Sequence, residues 1–309
     1  MKNNYSICLI VCWLGNFPEY FPLWELSASC NDSIDFLIFT DQDRISKYKN
    51  IKYRKITISD FNKLASKKLN LNINIKNSYK LCDFKVAYGK IFEDYLRNYT
   101  FFGYCDIDLV FGNIRKYITN DILDRFDKIN NLGHLTLYRN NKQMRELFKE
   151  KGSIYDYKTI FTTEENYAFD EYSGMHLIVK QNNIKEYVVD NYADMSPKNK
   201  EFIVCNFKNY NGQYFIFDEG QIFQIYGVNS KEYIYLHFQK KQPILLDFDK
   251  NVKKYYLSAT IFSRKLSINK YNNLNKKLDA IKYYINKIKQ FLKCSSKQKK
   301  IWINQKRVK

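Results

Sequence analysis

The stretch Phe101–Ile114 reads FFGYCDIDLVFGNI: an apolar, aromatic run that ends on two aspartates, Asp106 and Asp108, with only Ile107 between them. Phe101, Phe102, Tyr104 and Cys105 form a segment that belongs in a core. A carboxylate buried beside such a segment costs several kcal/mol unless it is paired, hydrogen-bonded or bound to a metal. Apolar sequence resumes at once in Leu109-Val110-Phe111-Gly112-Asn113-Ile114, so the pair sits inside a hydrophobic run. In an extended strand residues i and i+2 point to the same side, which predicts that the two carboxylates converge. An oxygen-rich pair of this kind suits Mg²⁺ or Mn²⁺, held jointly with substrate phosphates. The bare D-x-D pattern also has a plain structural reading, a turn or cap aspartate plus a surface one.

Outward from this run the sequence predicts an open α/β sheet flanked by helices. Ile7–Trp13 and Asp35–Thr40 are short apolar runs that suit buried parallel strands, with a helix over Glu19–Ser29 between them. Ile51–Ile58 alternates like a further strand, and 62–77 reads as loop or short helix. Asp83–Tyr95 reads as a helix capped by Asp83, with Val86, Ala87, Ile91 and Tyr95 on one face. Strands are expected at 99–108, His134–Tyr138, Met175–Lys180, Phe215–Phe217 and Tyr233–Phe238, and helices at Asn141–Lys151 and Ile184–Asp194. Strands gather ligands at their C-terminal ends in such sheets, and Asp106 and Asp108 occupy one of those ends.

Composition bounds the reading. The 309 residues, 45% hydrophobic and 17% aromatic, exclude a disordered chain. The net charge of +19 is uneven: residues 270–309 carry 13 Lys or Arg against the single acid Asp279, so +12 of it lies there. Leu274, Leu278, Ile281, Ile285, Ile288 and Leu292 mark one face of a helix in this tail, with lysines on the other faces. The expected organisation is a catalytic domain over 1–250 and a basic, partly helical extension over 251–309. Seven cysteines without a CxxC pair point to a reducing compartment without disulfides. No stretch approaches 18 uncharged apolar residues, which predicts no membrane span and a cytoplasmic location.

Taken in order, YKLCDFKVAYGKIFEDYL (79–96), FFGYCDIDLVFGNI (101–114), FDEYSGM (169–175) and YLHFQKK (235–241) resemble the GT-A-type nucleotide-sugar glycosyltransferases. More narrowly, they resemble the bacterial enzymes encoded in capsule and surface-polysaccharide loci. The resemblance spans about residues 5–245 and leaves the tail outside. It implies a GT-A-like mixed sheet, a nucleotide-sugar donor with UDP first, a Mn²⁺ or Mg²⁺ cofactor, and a glycan or lipid-linked acceptor. Asp108 would be the main metal ligand, Asp106 would lie by the metal or the donor ribose, and His237 would complete the metal site. Lys80, Asp83 and Lys85 would line the nucleotide site, Lys240 would reach the diphosphate, and Thr40 and Asp41 would contact base and ribose. The sequence departs from the pattern where no Lys-Pro-Trp follows the late histidine and where Asn113 stands in place of an acid.

An inverting transferase needs a carboxylate to take the acceptor's proton. FDE occurs at 169–171 and again at 217–219. The first copy precedes a polar turn, which favours Asp170 or Glu171 as the base, with a helix cap or a lysine partner as the structural alternative. The tail, with Trp302 between Ile301 and Ile303, suits an anionic membrane surface at the inner face of the cytoplasmic membrane. Its bland alternative packs the stripe on the body. Two rival functions remain: a basic nucleic-acid-binding protein, which lacks a recognition motif here, and another two-aspartate metal enzyme such as a nucleotidyltransferase, which would carry a glycine-rich phosphate loop where Gly15 stands alone.

Overall fold

The computed structural model describes residues 5–196, 201–205, 209, 213–226, 229–239, 243–245, 247–258, 261–265 and 273–308. Strand β1 (Ile7–Cys12) leads through helix α1 (Phe21–Ser29) to β2 (Ile34–Thr40), β3 (Ile51–Lys55) and helix α2 (Ile58–Leu69). β4 (Phe101–Cys105) and β5 (Leu109–Phe111) follow, then β6 (Lys128–Ile129), β7 (Leu135–Arg139) and helix α3 (Met175–Gln181). Short strands come next: β8 (Glu186–Tyr187), β9 (Tyr192–Met195), β10 (Phe202–Val204), β11 (Tyr214–Asp218), β12 (Gln221–Tyr226), β13 (Asn229–Tyr233) and β14 (Tyr235–His237). β15 (Ile244–Leu245), β16 (Lys254–Leu257) and β17 (Ile261–Ser263) precede two tail helices, α4 (Asn273–Lys293) and α5 (Ser296–Val308).

Among the described residues three sheets form. The largest runs β3-β2-β1-β4-β7-β6-β8; its first four strands are mutually parallel, and β7 pairs antiparallel to β4. Its apolar runs are buried on both faces, as strands covered by helices must be. A four-stranded sheet, β10-β9-β14-β5, and a six-stranded one, β13-β12-β11-β16-β17-β15, complete the mixed α/β body. Strands β16 and β17 belong to that last sheet, so part of the segment expected as extension after 250 is woven into the body, and the helical tail is described from Asn273.

Four elements depart from the sequence expectation, each for a local reason. Residues 58–69 are helical because Thr57 and Asp60 close a capping box and Phe61, Ala65 and Leu69 line one buried face. Met175–Gln181 is a helix rather than a strand, since a short apolar run reads equally well as a buried helix. The Ile184–Asp194 segment forms β8 and β9 instead of a helix: Lys128↔Glu186 and Ile129↔Tyr187 pair it to β6. Asp83–Tyr95 is a chain of short helical pieces, and Asp83 lies within one of them instead of capping it. Gly89 there lies against Phe102, whose ring a Cβ would meet at 2.3 Å.

Candidate active site

Asp106 and Asp108 stand at the crossing between two sheets. β4 ends at Cys105 in the large sheet and β5 begins at Leu109 in the four-stranded one. The carboxylates converge because the chain bends between sheets, not through the period of one strand. Two backbone bonds fix the bend: Asp106 N–H donates to the His134 carbonyl at 2.9 Å, and Phe238 N–H to the Asp108 carbonyl at 3.0 Å. The Trp24 indole N–H donates to the Asp106 carbonyl at 3.0 Å. Antiparallel pairing of β14 with β5 sets His237 opposite Leu109, and so beside Asp108.

Ligand atoms of Asp106, Asp108 and His237 lie within 4.8 Å of one another. His237 Nε2 is 3.6 Å from Asp108 Oδ1, while its Nδ1 is 2.8 Å from Asp194 Oδ1. The amide of Gln239 donates to the other Asp194 oxygen at 2.8 Å. A proton held on Nδ1 by Asp194 leaves the Nε2 lone pair for a cation at the aspartate pair, the arrangement that orients histidine ligands in metal sites. Two carboxylates and an imidazole suit Mn²⁺ or Mg²⁺.

Lys85 organises the carboxylates. Its Nζ is 2.5 Å from Asp106 Oδ1 and 3.1 Å from Asp170 Oδ2, and donates to the Gly133 carbonyl at 3.3 Å. Burial alone would depress the ammonium, yet Asp106 and Asp170 more than offset it and hold it well above the usual lysine range. Burial and the neighbouring Asp108 raise the Asp106 carboxyl against the pull of Lys85. Burial likewise opposes protonation of His237, but its bonds to Asp108 and Asp194 prevail and push it up to about 10. A cation at Nε2 would displace the second imidazole proton and leave His237 neutral, so that Lys85 alone faces the four carboxylates Asp106, Asp108, Asp170 and Asp194, an excess of negative charge that a divalent ion would offset.

The remaining expected residues divide by role. Lys80 and Asp83 are fully buried and paired at 2.7 Å. Asp83 accepts from the N–H groups of Tyr167 and Phe169, and Lys80 donates to the Glu165 carbonyl at 2.5 Å. Both side chains are thereby engaged with the segment that delivers Asp170, so their reach to a nucleotide is indirect. Thr40 is buried at the end of β2, and the Asp41 carboxylate accepts from Gly15 N–H at 2.9 Å, which places both at the C-terminal edge of the parallel strands. Asp170 is 5% exposed and Glu171 is half-buried beside it in the turn before α3. Lys240 lies outside the described residues.

Two residues of the cluster went unmarked in the sequence: Asp194 and His134. His134 is buried with its ring centroid 3.7 Å from that of His237 and tilted to it by 33°, and burial followed by that neighbour pushes it down to about 3. The available signal was the scarcity of histidine, three in the chain. Gly133 admits Asp170, whose oxygen a Cβ there would meet at 2.3 Å.

A family model matches residues 9–266. The chain belongs to the family of unknown function DUF6625. The match runs from within β1 to just past β17, leaves α4 and α5 outside, and brings no activity with it. No curated protein matches the sequence. Among solved structures the chain is similar to the crystal structure of the galactosyltransferase LgtC in complex with donor and acceptor sugar analogues. The identity is 10%, over 62% of this chain and 76% of that one, with a TM-score of 0.34. A likeness so faint carries neither fold nor activity across.

Proposed function

We propose that the protein is a metal-dependent glycosyltransferase that moves a sugar from a nucleotide-sugar donor, UDP-linked in the first instance, to a glycan or lipid-linked acceptor in bacterial surface-polysaccharide synthesis. The observation that carries this reading is the convergence of Asp106, Asp108 and His237 beside the Lys85–Asp170 pair, at the C-terminal edge of the parallel strands. The motif order 79–96, 101–114, 169–175 and 235–241 supports the donor class.

In this reading Asp106, Asp108 and His237 Nε2 would hold Mn²⁺ or Mg²⁺. The bound ion supplies stabilisation of the charge that develops on a departing diphosphate. Lys85 adds fixed positive charge on the same side, preorganised by its two carboxylates. Asp170 and Glu171 are the candidate bases: a carboxylate oxygen of one accepts the proton of the attacking hydroxyl. Lys80 and Asp83 position them by tying down the backbone of 165–169.

The tail gains a place in the same proposal. Five apolar side chains of α4, Ile281, Tyr284, Ile285, Ile288 and Leu292, are 45–67% exposed and Phe291 is half-buried, with Lys287, Lys289 and Lys293 on the same helix. Trp302 is half-buried with its ring 4.8 Å from that of Phe291, and Ile301 enters the core. The helix α5 thus docks on the body while α4 presents a basic amphipathic face suited to an anionic lipid surface. No helix of the described residues is long and apolar enough to cross a membrane.

The test is a screen of UDP-, GDP- and CMP-sugars with Mn²⁺, following free nucleotide by chromatography with and without glycan acceptors. One nucleotide class should be released in a metal-dependent manner, at a rate about 100-fold lower in Asp108→Asn. Absence of metal-dependent release from every donor, with the aspartates intact, would remove this reading.

A further inference from the structure

We infer a second cation position next to the aspartate pair, formed by His134, Asp194 and His237 and suited to a borderline transition metal such as Zn²⁺. A nitrogen of each imidazole and an oxygen of Asp194 lie within 4.8 Å of one another. Three separate elements supply them: the loop before β7, strand β9, and the end of β14. The two ring centroids lie 3.7 Å apart with their planes tilted by 33°, so a shared ion would require the rings to spread apart. His134 is 91% buried and its Nδ1 has no hydrogen-bond partner. Buried polar atoms are normally bonded, and one that is not calls for an explanation. A cation held by His134, Asp194 and His237 gives that nitrogen its partner.

The donor set decides which metal. Two imidazole nitrogens and one carboxylate favour Zn²⁺, Co²⁺ or Ni²⁺, whereas the aspartate pair is oxygen-rich and favours Mg²⁺ or Mn²⁺. His237 serves both positions through different nitrogens. Its Nδ1 lies 2.8 Å from Asp194, and its Nε2 faces Asp108. Ligation through Nδ1 leaves the proton on Nε2, which then donates toward Asp108 and has no lone pair left for an ion there. The two positions therefore compete for one imidazole, and Zn²⁺ acts as an antagonist of Mn²⁺. This follows from the residues themselves, whatever reaction the protein catalyses.

The test uses the full chain carrying Asp106→Asn and Asp108→Asn, which disables the aspartate pair. Zn²⁺ is titrated against a chromogenic chelator, and Co²⁺ is followed by its visible absorption. One Zn²⁺ per chain should bind, with a nitrogen-ligated Co²⁺ spectrum. Adding His134→Phe, which keeps a ring in place but removes both nitrogens, should weaken binding at least tenfold, and Asp194→Asn should act in the same direction. Thermal unfolding of each variant establishes that it is folded. In the unsubstituted protein, Zn²⁺ should lower Mn²⁺ occupancy measured by electron paramagnetic resonance, and His134→Phe should relieve the effect. Failure of the double variant to bind Zn²⁺ at millimolar concentration, or binding that neither His134→Phe nor Asp194→Asn alters, overturns the inference. Sugar transfer is untouched by either result, because that reading stands or falls with Asp106 and Asp108.

Discussion

Lys85→Met is expected to weaken the fold and strengthen the metal site at the same time. The ammonium lies 2.5 Å from Asp106 and 3.1 Å from Asp170, with 11% of its side chain exposed. Its removal leaves two mostly buried carboxylates without their counter-charge, and breaking such a pair costs about 3–5 kcal/mol. The same change withdraws a competitor for Asp106 and a positive charge from the neighbourhood of a bound cation. Unit charges about 4 Å apart interact by about 4 kcal/mol at an effective dielectric constant of about 20. A fraction of that term, about 1.4 kcal/mol, already tightens Mn²⁺ binding tenfold. Mn²⁺ at a hundredfold excess over its dissociation constant then returns about 2.7 kcal/mol of stability. Urea unfolding with EDTA and with Mn²⁺, together with calorimetric Mn²⁺ titration, reads both effects. A variant that loses stability, binds Mn²⁺ no more tightly and is not rescued by it would refute the charge-balance reasoning and leave Lys85 a structural lysine.

Three further outcomes follow from particular contacts. Asp83→Ala strands the buried Lys80 ammonium and two backbone N–H groups, so urea unfolding should show a loss of about 3–5 kcal/mol, and Lys80→Met/Asp83→Leu should recover part of it. His134 is held neutral down to about pH 3, whereas the unfolded chain takes up that proton near pH 6.5. Stability contributed by this depressed pKa is complete above pH 6.5 and declines by about 1.36 kcal/mol per unit as pH falls toward 3. His237, raised instead, contributes no slope in that window because both states are protonated there. Denaturant melts between pH 4 and 6.5 should therefore be flatter for His134→Phe. Replacing Ile288 and Leu292 by Asp should abolish sedimentation with anionic vesicles while leaving the thermal midpoint in place, since both side chains are exposed; unchanged sedimentation would separate α4 from the lipid surface.

Much of the scaffold was legible because its strands are short apolar runs that read the same in any context: β1, β2 and β4 fall where their sequences place them, and the D-x-D pair marks the end of one. The route by which Asp106 and Asp108 meet was not legible, since a bend between two sheets depends on pairing between β5 and β14, more than 120 residues apart. Asp194 and His134 escaped for the same reason: pairing of β9 with β14 sets Asp194 opposite His237, and pairing of β7 with β4 sets His134 beside Asp106, neither announced by a local pattern. Lys80 and Asp83 were marked as site residues by their motif, yet their charges are used against each other and against the backbone of 165–169. Apolar runs such as Met175–Lys180 support helix and strand equally until their neighbours are known.

The most direct measurement is calorimetric binding of UDP, GDP and CMP, each with Mn²⁺ and with EDTA, to the unsubstituted protein and to Asp108→Asn. One nucleotide is expected to bind only with Mn²⁺, and Asp108→Asn is expected to abolish this binding in a protein that still unfolds cooperatively. Binding of equal strength in EDTA, or in the variant, would contradict a metal-bridged nucleotide site at Asp106 and Asp108.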